Sequence, residues 1–191
     1  MTMRNEQSRT ASDAASRIAQ FETYWRGLVR HGRPPARGRI EPGRIGDALP
    51  GAFVIDRVAP GQARLRIAGQ SLCDLAGGEA RGLPLSRLFT ARAQARLADL
   101  LEHGFGAKVP LQARLQVQGR AAGWLLLLPL RPEPGAAPQM IGALLHDLLP
   151  GRARRFGFAG PVRIGAPTAP AHAPTPRLRL VVDNDPPQPV A

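Results

Sequence analysis

The chain has 191 residues, enough for about one domain with extensions, and carries 26 basic against 14 acidic side chains, a net charge of +12. Its single cysteine, Cys73, excludes an intrachain disulfide framework and a cysteine-rich zinc site. The longest apolar run, Trp124 to Leu130, is too short to span a bilayer, and the polar start lacks the apolar stretch of a secretory leader, so a soluble cytoplasmic protein is expected.

In chain order, residues 1–11 read as a disordered N-terminus. Ser12 is placed to cap a helix running to about His31, because Ile18, Phe21, Trp25, Leu28 and Val29 recur at helical spacing as one apolar stripe. Gly32 and Pro34-Pro35 stop it. Residues 12–44 thus form an amphipathic helix and a basic connector holding Arg33, Arg37, Arg39 and Arg44. The folded domain is expected over 45–149. Ala52 to Val58 is β-rich, Pro60-Gly61 is a turn pair, and Ala63 to Ala68 alternates apolar and charged, which together predict an antiparallel hairpin. A short helix follows over Leu72–Ala76, with Ser71 placed to cap it. A turn lies near Leu85 to Phe89, and a longer helix runs from the Thr90 cap to about His103, ended by Gly104 and Gly106.

Three more strands complete the predicted domain. Val109 to Gln118 alternates, Trp124 to Leu130 is apolar on both parities and therefore central, and Met140 to Leu148 is the last. From Pro150 the composition turns to Gly, Pro, Ala and Arg, so residues 150–191 are expected to be a disordered tail with polyproline character. A short β-prone patch at 177–183 interrupts it.

This order of elements resembles a PAS domain. The chain is similar to the PAS-5 family of small alphaproteobacterial PAS-like proteins from about Ala19 to Leu149. The features that carry the likeness are the helix with Phe21 and Tyr24-Trp25, the entry phrase Ile45-Gly46-Asp47-Ala48-Leu49-Pro50 before Phe53-Val54-Ile55-Asp56, the run from Leu65 to Gly77, and Gly82-Leu83-Pro84-Leu85-Ser86-Arg87-Leu88-Phe89. The resemblance implies an α+β fold with a five-stranded antiparallel sheet and helices on one face. It implies no defined activity, because such domains serve as ligand sensors, cofactor holders and dimerisation modules alike.

The candidate sites are few. No Gly-rich phosphate loop, His-Glu-x-x-His or Gly-x-Ser-x-Gly motif is present, and the four histidines lie on separate elements, so no enzyme activity, metal or cofactor is expected. A pocket for a small apolar ligand would be walled by Phe53, Ile55, Leu65, Ile67, Leu72, Leu75, Leu115, Leu126, Leu128 and Leu144, with Cys73 among them; the alternative is a filled core with Cys73 as a structural thiol. The stripe Ile18, Phe21, Trp25, Leu28 and Val29 is an interaction helix that packs either on a second copy, giving a homodimer, or on its own sheet. The leading reading is a non-enzymatic sensory or protein-interaction module in bacterial signal transduction, acting on itself or on an unidentified regulatory protein. With six Phe, two Trp and one Tyr, the chain makes a poor stacking platform for nucleic acid. A basic nucleic-acid-associated regulator using Arg30 to Arg44 and the tail is therefore the alternative, followed by a cofactor-binding redox sensor.

Overall fold

The structure, a computed structural model, describes residues 2–146 and 155–165. Helix α1 (Thr2–Leu28) leads into three short 3-10 turns at Arg37–Arg39, Pro42–Arg44 and Gly46–Gly51. Strands β1 (Ala52–Ala59) and β2 (Gln62–Ala68) form the first hairpin. Helix α2 (Gln70–Ala76), a 3-10 turn (Leu85–Leu88) and helix α3 (Ala91–Ala107) follow. Strands β3 (Leu111–Val117), β4 (Arg120–Pro129), β5 (Gln139–His146) and β6 (Gly157–Ile164) close the domain. The strands make one antiparallel sheet in the order β2-β1-β5-β4-β3-β6.

The central strands of the sheet are buried on both faces. Phe53, Ile55, Leu65, Leu115, Leu125, Leu127, Met140 and Leu144 face α2 and α3. Val54, Leu126, Leu128, Ile141, Ala143 and Leu145 face the other way, onto Ala14, Ile18, Phe21 and Trp25 of α1 and onto Ile45 and Ala48 of the connector. The resemblance puts the domain's helices on one face, with α1 left to pack either on this sheet or on a second copy, and here α1 covers the second face. The apolar run of β4 is the reason: with both parities apolar, each face needs its own cover.

Helix α1 starts at Thr2, before the expected Ser12, and ends at Leu28 rather than His31. Helix α3 runs through Gly104 and Gly106, the expected stops, and ends where Lys108 takes a left-handed cap at φ 54°. Gly104 faces the sheet. A Cβ there would lie 2.5 Å from Met140 Cε and 2.9 Å from Leu111 Cδ1, so its role is close approach of helix to sheet. Ser71 lies inside α2, whose N-cap is Gly69, and Thr90 occupies the α3 N-cap position without a side-chain bond.

Strand β6 is an addition to the expected five-stranded sheet and falls within the stretch read as tail. Phe156 is buried just before it. Its N–H donates to Leu88 O at 2.9 Å and its carbonyl accepts from Thr90 N at 2.9 Å. Phe158 then stacks on Phe89 with centroids 5.4 Å apart. Gly157, Gly160 and Pro161 hid the strand in the sequence. An edge strand tolerates them, and the register against β3 slips where Gly160 takes φ 75°. The 177–183 patch lies outside the described residues.

Two carboxylates tie the layers together. Glu22 of α1, 5% exposed, accepts from Arg26 Nε at 3.0 Å and Nη2 at 2.7 Å, and from Arg163 of β6. Glu102 of α3 accepts from Gly61 N at 2.8 Å in the β1–β2 turn and from Arg57 Nε at 3.1 Å and Nη2 at 2.6 Å. The Gly61 N–H first, and Arg57 with it, hold the Glu102 carboxyl below its ordinary value, against a desolvation that pushes it up. A carboxylate with a depressed folded pKa contributes stability above its ordinary value of 4.5 and loses it as pH falls through the folded value. The unfolding midpoint of the native chain should therefore drop more steeply below about pH 5 than that of Glu102→Gln. Thermal melts across that window would show the two curves converging in acid.

Candidate functional site

Phe53, Ile55, Leu65, Leu72, Leu75, Leu115 and Leu144 all lie together between α2, α3 and the sheet, buried in one packed cluster. Cys73 is half-buried against it. The ring of Phe53 rests on Gly142, where a Cβ would meet its Cζ at 2.7 Å. Leu126 and Leu128 are not part of this group. They point to the opposite face, because their parity in β4 is that of the α1 side.

Ile67 also leaves the group, for a different reason. Alternation along β2 would put it beside Leu65. The pairing with β1 instead runs Val54 with Ile67 and then Ile55 with Leu65, so Arg66 is an extra residue. This β-bulge reverses the alternation and turns Ile67 to the face of Val54. There it is 48% exposed.

Ile67 is one wall of a groove of about 490 Å³ on the α1 side of the sheet. Val54 and Ile141 form the floor, and Ile40, Ile45 and Leu49 of the connector form the opposite wall. Leu49 is 42% exposed. Arg37 is the single charged side chain of the lining. The connector is held at this distance by specific contacts. The backbone N–H of Glu41 donates to Tyr24 Oη of α1 at 2.9 Å, and Arg44 lies over the Tyr24 ring at 5.8 Å. At the other end, Gly69 N donates to Ala52 O at 2.8 Å, and a Cβ on Gly69 would run into the Pro50 carbonyl oxygen. Sequence reasoning missed this groove, because apolar connector residues give no sign of whether they seal a sheet or stand off from it. The phrase Ile45 to Pro50 was the available signal, as a segment able to dock apolar side chains.

Of the interaction-helix residues, Ile18, Phe21 and Trp25 are buried on their own sheet, and Val29 packs partly against the same cluster. Leu28 is half-buried beside the connector. The indole Nε1 of Trp25 donates to Pro129 O at 3.0 Å, inside the protein. In this structure the stripe packs on the chain's own sheet. Among the described residues, no three His, Cys, Asp or Glu side chains are placed to share a metal ion, and no helix is long and apolar enough to cross a membrane.

Residues 13–145 match the PAS_5 family, described as PAS domain. That span is well over half of the chain, and the chain belongs to this family. No curated protein matches it.

Truncating Trp25 to Ala should cost about 3–5 kcal/mol, since it removes a large buried ring and strands the Pro129 carbonyl. Urea unfolding followed by far-UV circular dichroism measures this. A helix that packs mainly on a second copy would instead show a loss that depends on protein concentration.

Proposed function

We propose that the chain is a non-enzymatic sensory module that takes a small apolar molecule into the groove between the connector and β1–β2. The observation that carries the reading is this half-open apolar groove of about 490 Å³, with Leu49 and Ile67 partly exposed in its walls. Its size falls within the roughly 300–1,000 Å³ range of small-molecule sites. Filling it would withdraw both side chains from water, at roughly 25 cal/mol per Å² of apolar surface.

The same groove supplies a route for the signal. Its outer wall is made of 3-10 turns, with Ile40 N bonded to Arg37 O and Ile45 N to Pro42 O, each at 3.0 Å. Short turns of this kind have little cooperative stability, so a ligand can shift them at low cost. Tyr24 connects that wall to α1, and the output in this reading is a change in association with a regulatory protein or a second copy. A bacterial cytoplasm suits a chain whose one thiol, Cys73, is unpaired.

The neutral dye N-phenyl-1-naphthylamine is a suitable probe, because it carries no charge for the arginines to attract. Its fluorescence should rise saturably on mixing with the protein. Ile67→Glu and Leu49→Glu should each weaken that binding about tenfold or more, since each puts a charge into an apolar wall. Unchanged binding in both variants, with the fold intact by circular dichroism, would remove the groove as the sensory site.

A further inference from the structure

A second depression lies on the other side of the connector. It begins where the chain reverses after α1. His31 at φ 49° and Gly32 at φ 69° are both left-handed, and Arg30 and Arg33 exchange backbone hydrogen bonds of 3.3 and 2.9 Å across them. This is the geometry of a two-residue hairpin turn. It sets two arginines directly opposite each other, an arrangement in which like charges repel. Pro34 and Pro35 follow, both buried. The Pro35 carbonyl accepts from Arg131 N at 2.9 Å, and Ala36 pairs with Arg131 in a parallel bridge. That pairing brings Arg131, from far along the chain, to the same rim. Arg39 of the first 3-10 turn completes it.

Arg30, Arg33, Arg39 and Arg131, with His31, thus border one depression of about 490 Å³ that no carboxylate lines. Among the described residues none of these four arginines forms an ion pair. Arg30 is fixed by Nη1, which donates to Gly27 O at 2.7 Å and Val29 O at 3.0 Å at the end of α1. The backbone that carries the cluster is held by the turn, the two prolines and the bridge to Arg131. Arg30 thus has carbonyl partners at the end of α1, whereas Arg33, Arg39 and Arg131 border the depression with no carboxylate to neutralise them among the described residues.

We propose that this depression binds a small soluble molecule carrying two or more phosphate groups. Guanidinium forks match phosphate oxygens bidentately, and several lining one depression without a carboxylate suit a multiply charged anion better than a single carboxylate. The backbone hydrogen bonds at Arg30, Arg33 and Arg131 lower the ordering cost of binding at those three positions. Four arginines bordering a single depression of this size suit a small molecule held within it, and a nucleic-acid strand is the other occupant to be tested. The site shares no lining residue with the apolar groove, so it stands independently of the sensory reading.

The test is calorimetric titration of pyrophosphate into the full chain at about 0.15 M salt, where long-range attraction to the net positive charge is largely screened. Saturable one-site binding is expected. The Arg33→Gln/Arg131→Gln double variant should weaken it at least tenfold. The Arg92→Gln/Arg120→Gln variant loses the same charge from exposed positions elsewhere and should bind as the native chain does. Absence of saturable binding, or equal weakening in both variants, would overturn the proposal. A short DNA duplex, followed by fluorescence anisotropy, tests the other occupant. Duplex binding that is lost in Arg33→Gln/Arg131→Gln and that pyrophosphate does not displace would make the surface a nucleic-acid interface and overturn the small-molecule assignment. All four substituted side chains are exposed, and thermal melts should confirm that each variant folds.

Discussion

Strands β4 and β5 are apolar on both faces, and most of the architecture answers that constraint. Leu125 and Leu127 need a cover on one side, Leu126 and Leu128 on the other. Helices α2 and α3 supply the first cover. The second has to come from the N-terminal segment, and α1 provides it with Ile18, Phe21 and Trp25. The Trp25 indole makes the fit specific, because its N–H satisfies a Pro129 carbonyl that would otherwise be buried without a donor. Helix α1 is accordingly a structural layer of the domain.

That arrangement also determines where open surface remains. Helix α1 lies over β4 and β5, so β1 and the inner end of β2 must be covered by the connector. Its 3-10 turns cover them incompletely, and the apolar groove is the remainder. The 3-10 turn Arg37–Arg39 separates this groove from the basic depression, with Arg37 lining one and Arg39 the other. Both proposed sites therefore meet on one short, weakly bonded segment. At the opposite edge of the sheet Glu22 fastens α1 to β6 through Arg163, and Glu102 fastens α3 to the β1–β2 turn.

Much of this was legible in the sequence, and the misses have physical causes. The helix stripe, the first hairpin and the three later strands follow from periodicity, and the order of elements carries the family. Which face Leu126 and Leu128 occupy does not follow, because a run apolar on both parities fits either assignment. The place of Ile67 depends on a single extra residue, Arg66, and no periodicity argument anticipates a bulge. Strand β6 is hidden by Gly157, Gly160 and Pro161, whose local preference is overridden by Phe156 and Phe158 docking beside Leu88 and Phe89. Arg30, Arg33 and Arg39 were legible as part of a basic connector, but not their placement beside Arg131. That placement needs a left-handed His31 and a long-range pairing that brings in Arg131.

Because α1 packs on its own sheet, the connector is left to form the groove. Amide hydrogen exchange tests this packing most directly, by comparing Phe21–Leu28 with Leu125–Leu128 at low and high protein concentration. The account predicts that the α1 amides facing the sheet exchange as slowly as those of β4, at rates independent of concentration. Rapid exchange in α1 beside a protected β4, slowing only as concentration rises, would mean that the helix finds its partner in a second molecule and would contradict it.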